Sequence, residues 1–217
     1  MPSFGWLHVG FLLQGLVWTL ALSVIAGLGG SLVGFAIALA RTSRAGWLRL
    51  LSLLYVQVLQ GTPLLILMFL GYFGFNLLGF QRMPAIVAAG LAMTFFASAY
   101  LGEIWRGCIE SVPRTQWEAA ECLGLSRWAQ LRLVILPQAL RIAVPPTVGF
   151  AVQIVKNTSL ASVVGFVELA QAGKLVNNST FQPFIVYVLV AVLYFAMCWP
   201  LSAWSRRLER KLNVGRG

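Results

Sequence analysis

The chain has 217 residues, 59% of them hydrophobic and 10% charged, with a mean hydropathy of +0.82. Soluble domains carry about 25% charged residues, so this chain cannot cover itself with a soluble surface, which excludes a soluble enzyme, a disordered tail and a secreted disulfide scaffold. Lys and Arg number 16 against 6 acids, all of them Glu, for a net charge of +10; in a soluble protein that balance points to nucleic acid, in a membrane protein to basic loops on the cytoplasmic side.

A membrane-spanning helix needs about 20 mostly apolar residues. Residues 1–40, 50–81, 83–102 and 175–205 carry no charge, and 142–167 carries Lys156 alone. The sequence therefore predicts an all-α membrane protein with five transmembrane helices, over 11–40, 50–79, 84–105, 142–165 and 182–205. The start of the chain does not read as a signal peptide: it has no basic n-region, and its apolar stretch is too long. Pro2, Ser3, Phe4 and Gly5 are expected to stay outside.

The first predicted span holds Gly27, Gly29, Gly30 and Gly34, and Gly30 with Gly34 forms a GxxxG pair that lets two helix backbones approach closely in lipid. That contact is either packing within the chain or a subunit contact. Trp6, Trp18, Trp47, Trp199 and Trp204 fall near expected interfaces, as the aromatic belt of membrane proteins requires. The single histidine, His8, is expected at the outer rim. The second span contains Gln60-Gly61-Thr62-Pro63. Pro63 has no N–H and breaks the local helix ladder. In lipid such a break survives only where the freed carbonyls find partners in protein or in a wet cavity, and Gln60 and Thr62 can supply them; a simple kink and a kink lining a pathway are both open.

Arg41, Arg44 and Arg49 follow the first span; Arg106, Arg114, Arg127, Arg132 and Arg141 lie between the third and fourth; Arg206, Arg207, Arg210, Lys211 and Arg216 follow the fifth. Only Arg82 and Lys174 fall on the opposite side. This bias puts the N-terminus outside and the C-terminus in the cytoplasm. The basic balance is then topology, and no soluble basic domain remains to carry nucleic acid. Cys108 and Cys122 fall on the reducing side, Cys198 lies low in the fifth span, and with no CxxC or histidine cluster no metal site is expected. A membrane enzyme would need a Ser–His pair, a carboxylate pair or a metal at membrane depth; no span contains Asp and His8 is at the rim, so no catalytic residue is expected.

Segment 106–141 is the long stretch of mixed charge, set within a single transmembrane domain, 1–217. Ser111 or Thr115 can cap a helix whose first turn suits Pro113. Trp117, Ala120 and Leu123 recur at helical intervals, Gly124 ends the helix or turns the chain, and Ser126 can cap a second helix through Trp128, Leu131 and Val134. Pro137 marks the climb into the fourth span. The expected shape is a helix–turn–helix knob with Glu, Arg and Trp exposed, suited to docking on a soluble partner.

Here the sequence resembles a known family. Glu118-Ala119-Ala120, then Gly124, then Val134-x-Leu136-Pro137 is similar to the EAA pattern of bacterial ABC importer permeases, with Val in place of Ile. Gly61-Thr62-Pro63-Leu64-Leu65, Glu103-Ile104-x-Arg106-Gly107, Ser111-Val112-Pro113 and Lys156-Asn157-Thr158-Ser159-Leu160 resemble the branch that imports polar amino acids, over roughly residues 10–210. Gln60 stands where that branch often has Arg, Cys108 where Gly is common, and Arg114-Thr115 where Gly is frequent; Gln60 bears on how the pathway is charged.

The resemblance implies an ABC type I importer permease fold in the bacterial inner (plasma) membrane. It implies coupling to an ATPase through Glu118, Ala119, Ala120, Gly124, Leu136 and Pro137. The implied partners are a second permease subunit, identical or paralogous, two ATP-binding subunits and a periplasmic or extracellular amino-acid-binding protein. The chain has no GxxxxGK[ST] loop, so ATP and Mg belong to the partner ATPase. The expected substrate pathway contains Gln60, Gly61, Thr62, Pro63, Gln153, Lys156, Asn157, Thr158 and Ser159. Lys156, a charge inside a span, faces a cavity or a partner: a substrate carboxylate, Glu103 or Glu168. Lys156 and the absence of membrane-embedded acids lean the substrate toward acidic or neutral polar amino acids such as glutamate, aspartate and glutamine, over cationic ones. The rival readings are a permease for a different small solute and a non-transporting membrane scaffold. Glu103 and Arg106, three apart, are placed to form an intrahelical pair.

Overall fold

A computed structural model describes residues 4–77 and 83–213. Arg82 and Arg216 of the charge pattern, Pro2 and Ser3 of the N-terminus, and the last two residues of the 50–79 span lie outside the described residues. Helices follow in the order α1 (Trp6–Arg41), α2 (Gly46–Gly61), α3 (Leu64–Leu77), α4 (Ala85–Glu110), α5 (Arg114–Cys122), α6 (Arg127–Ala129), α7 (Leu136–Asn157), α8 (Leu169–Thr180) and α9 (Pro183–Asn213). A π-helical turn, Gln130–Ile135, joins α6 to α7, and a 3-10 turn, Thr158–Val164, extends α7. No strand occurs among the described residues.

Among the described residues, four helical stretches are long and apolar enough to cross a membrane: Trp6–Arg41, Ala85–Glu110, Arg127–Val164 and Pro183–Leu212. The fifth crossing is corrected in form. The sequence predicts one span over 50–79; the structure has two helices, bent by 99° between Gly46–Gly61 and Leu64–Gly74. The cause is Pro63, which ends the ladder of α2 and starts that of α3. The Thr62 hydroxyl donates to the Val58 carbonyl at 2.8 Å, so one acceptor at the break is satisfied by a side chain.

α1 and α4 form the centre of the bundle. A Cβ built on Gly30 would sit 2.6 Å from the Ala97 Cβ, and one on Gly34 would meet the Ser98 carbonyl at 3.0 Å and the Gly102 nitrogen at 3.1 Å. The GxxxG pair is therefore used inside the chain, where only glycine allows this approach. Leu22 and Ala26 of α1, Ala89 and Met93 of α4, Leu64 and Met68 of α3 and Ile154 and Ala161 beyond them make one buried cluster. A second cluster joins Leu12 to α8 and α9 through Leu169, Ala172, Val176, Val186 and Val190. Trp6, Trp47, Trp199 and Trp204 are each more than half exposed, as belt residues should be, whereas Trp18 meets Phe166 edge-on at 5.9 Å.

Two boundaries and one additional helix differ from the sequence expectation. The helix of the fourth span begins at Arg127 instead of 142, because the second helix of the knob and the span are one continuous rod. α9 runs to Asn213, eight residues beyond the apolar stretch. Helical hydrogen bonds persist after the side chains turn polar, and Arg206, Arg207, Arg210 and Lys211 sit on those added turns. α8 is unpredicted. Its signal was present: Glu168 at the N-cap, then Leu169, Ala172, Gly173 and Val176 at i, i+3, i+4 and i+7, all buried.

Candidate functional site

Two regions carry chemistry, and the Arg127–Val164 rod connects them. The first is the knob. α5 starts after Pro113, and Gly124 turns the chain at φ +71°, a region that side chains with a Cβ rarely adopt. The Ser126 hydroxyl accepts the Ala129 N–H at 3.4 Å and caps the second helix. Gln130 bridges the turn by donating to the Leu125 carbonyl at 2.8 Å, and Gln138 reaches back to the Gln116 side chain at 3.2 Å. The π turn directly precedes Pro137, whose missing N–H removes one rung of the ladder there.

Glu118 and Ala119 are exposed, while Ala120 faces inward and is buried. Gly124 and Pro137 are exposed and Leu136 is half-buried. Trp117, Leu131, Val134 and Leu136 pack on a buried cluster of Ala38, Ile109, Val112, Ile135 and Ala139. The knob is thus seated on the ends of α1 and α4. Trp117 departs from the expected exposed tryptophan: it is half-buried and the Arg127 guanidinium lies 3.7 Å from its ring centroid. Trp128 is the one left exposed of this pair.

Charge at the base of the knob is organised by Glu103. Its carboxylate accepts from Arg106 Nε at 2.9 Å and from Arg41 at 3.4 Å, and Arg106 also pairs with Glu110. The expected Glu103–Arg106 pair is present, enlarged by partners from α1 and from one turn along α4.

The second region is the end of α7. A cavity of about 490 Å³ opens between α7 and α9, lined by Val152, Lys156, Ser159, Tyr194, Cys198, Trp199, Ser202 and Arg206. Lys156 is exposed and has no ion-pair partner among the described residues. The two acids named for it are corrected: Glu103 is engaged as above, and Glu168 is fully buried elsewhere. Glu168 accepts from the Ala170 and Gln171 N–H groups at 2.9 and 2.8 Å, from Tyr194 at 2.7 Å and from Thr19 at 3.4 Å. Four donors around one carboxylate leave it no need of a lysine, and they tie α1, α8 and α9 together. Sequence reasoning missed Thr19 and Tyr194, because polar residues 149 and 26 positions away meet Glu168 only in the folded chain.

The expected pathway residues divide between faces. Lys156 and Ser159 line the cavity, and Gln153 is exposed. Asn157 is half-buried. Thr158 is fully buried and donates to the Val155 carbonyl, so it serves the helix end rather than the cavity. Gln60 donates to the Ala99 carbonyl of α4 at 3.3 Å, and Gly61 and Pro63 are exposed at the break. Leu64, just past Pro63, packs in the same cluster as Ile154 and Ala161, so the two segments approach each other through apolar side chains. Gln60 is not among the residues that line the cavity beside Lys156.

Known proteins resemble the chain over most of its length. Residues 30–214 match the family described as binding-protein-dependent transport system inner membrane component. The probable amino-acid ABC transporter permease protein YckA of Bacillus subtilis is 36% identical over 201 residues, 93% of this chain and 88% of that protein. The glutamine transport system permease protein GlnP of Escherichia coli is 35% identical over 214 residues, 96% of each. Among solved structures, an amino acid ABC transporter with histidines matches at TM-score 0.88 and 31% identity, covering 97% of this chain and 100% of that chain. The inward-facing MetNI methionine ABC transporter shares the fold at TM-score 0.77 and 20% identity, over 94% and 99% of the two chains.

Proposed function

Because the chain belongs to the binding-protein-dependent transport system inner membrane component family, we propose that segment 106–141 is its coupling element and that the cavity beside Lys156 lies on the route of a polar amino acid. The protein is a permease subunit of an amino acid ABC transporter, a multi-pass protein of the inner membrane and not itself an enzyme. ATPase and substrate-binding partners go with that class. For this chain the assembly proposed is two permease subunits, two ATP-binding subunits that hold ATP and Mg, and an external binding protein that delivers the amino acid. The N-terminus faces outside and the C-terminus the cytoplasm, in keeping with the clustering of arginines at the knob end.

The observation that carries the coupling reading is continuity. α5 packs against the π turn, and from Arg127 the helix runs unbroken to Val164, past Lys156 and Ser159. At 1.5 Å per residue its 38 residues make a rod roughly 57 Å long. A closing ATPase dimer that grips Glu118 and Ala119 moves one end of the rod, and the pathway segment is on the other. Gly124 and Pro137 shape the two turns at the gripped end, while Ala120 and Leu136 face the cluster that seats it. This is alternating access about a midplane site.

The substrate reading rests on the cavity wall. Lys156 and Arg206 line it and no acidic residue does, which matches a carboxylate better than a second cation. Glutamate, aspartate and glutamine fit; GlnP of Escherichia coli, named for glutamine, is one of the relatives. The test is reconstitution of the permease with its ATPase and binding protein, with ATP hydrolysis measured for each amino acid. Stimulation by neutral or acidic polar amino acids is expected. Stimulation confined to arginine and lysine would refute the cavity assignment, and none by any amino acid would refute the coupling reading.

A further inference from the structure

A second cleft, of about 620 Å³, opens at the knob end between the α1–α2 turn and α5. Four arginines line it, Arg41, Arg49, Arg114 and Arg127, with Trp117 and Glu118 beside them. Glu110 also borders the cleft, but its carboxylate is taken by Arg106. Arg127 also interacts with the charges of Arg44 and Glu121, which are opposite in sign. The Arg41 side chain is only 13% exposed, and its Nε is buried with no hydrogen-bond partner. Arg41 is shared with Glu103, so Arg49, Arg114 and Arg127 are the guanidinium groups of the cleft with no ion pair among the described residues, against one such carboxylate, Glu118; with the unsatisfied Arg41 Nε, the cleft presents an excess of donors to an anion.

Its depth says which anion. Arg41 and Arg49 stand on spans, at the end of α1 and near the start of α2. Around Arg49, Trp47, Leu50 and Leu51 of α2 are all more than half exposed. Such a surface faces acyl chains, so the mouth of the cleft lies at the level of the lipid headgroups. A guanidinium there meets phosphate, which its planar fork binds through two parallel hydrogen bonds. Glu118, proposed above as part of the ATPase grip, also borders this cleft, so lipid and ATPase would meet across α5. We propose that this cleft holds the phosphate of an anionic phospholipid, wedged between the α1–α2 turn and the coupling knob. The site joins the bilayer to the element that receives the motion of the ATPase. It requires only that this end of the bundle lie at headgroup depth, and not which amino acid is carried.

The experiment is native mass spectrometry of the assembled permease–ATPase complex, extracted from vesicles of equal phosphatidylglycerol and phosphatidylcholine. Retention of phosphatidylglycerol in preference to phosphatidylcholine is expected. Arg49→Gln, an exposed residue outside the knob, should lower that retention about fivefold, and Arg49→Lys, which keeps the charge and loses the fork, should fall between. Equal retention of both lipids, or no change in Arg49→Gln, would overturn the proposal. So would displacement of the lipid by millimolar inorganic phosphate, which would make this a free-anion site. Retention only by the permease stripped of its ATPase would overturn it as well, since the cleft would then be covered by protein carboxylates.

Discussion

Glycine does different work at three positions, and the differences are measurable. At Gly124 a Cβ would have open space around it, but φ is +71°. A side chain there costs about 1–2 kcal/mol of conformational strain without a clash. Gly124→Arg is therefore expected to insert and assemble, yet to lose most substrate-stimulated ATP hydrolysis because the knob is reshaped. Uptake at the wild-type rate would remove Gly124 from the coupling element. At Gly30 the obstacle is the Ala97 Cβ at 2.6 Å. Gly30→Val should lower the thermal midpoint of the purified permease, in line with the 1–3 kcal/mol typical of overpacking. Gly27, with nothing within 4 Å, is the control: Gly27→Ala should leave the midpoint unchanged. Lys156→Gln tests the cavity in the same way, by a rise in the apparent KM for an acidic amino acid with assembly intact.

Coupling is a property of elements. α5 is nine residues long and could not persist alone in water. It persists because Trp117 packs on the cluster around Ile109 and Ile135 and is covered by Arg127. Cation–π contact of this kind contributes on the order of 0.5–1 kcal/mol at an exposed site. Trp117→Ala should loosen the knob without unfolding the bundle. The expected outcome is ATP hydrolysis that no longer responds to substrate, checked against Trp128→Ala, whose exposed ring should tolerate removal. The break at Thr62–Pro63 is the second element-scale feature. It turns one apolar stretch into two helices at 99°, and it places Leu64 and Met68 against the end of the rod.

For the whole molecule, the arginines of the α1–α2 turn, the knob and the α9 terminus define one end, and that end is proposed as cytoplasmic. Cys122 is exposed on the knob, while Cys108 and Cys198 are buried. A membrane-impermeant maleimide should label Cys122 in inside-out vesicles and leave it unlabelled in intact cells. Labelling from outside would invert the topology.

Composition and charge-free runs alone determined an all-helical membrane protein, because in lipid each backbone N–H and C=O must be satisfied within the segment, and a run of about 20 apolar residues does so as a helix. The pattern from Glu118 to Pro137 carried the resemblance to the family, since the caps and turns of a helix–turn–helix segment are written in adjacent residues. Tertiary structure decided the rest. Whether Gly30 and Gly34 faced a partner subunit or α4 depended on which surface came within reach. That Lys156 would face a cavity and pair with neither Glu103 nor Glu168 depended on donors from α1, α4 and α9 reaching those carboxylates first. Local patterns record hydrogen bonds and periodicity within a turn or two, whereas the partners of a buried charge are chosen by the packing of helices far apart in the chain.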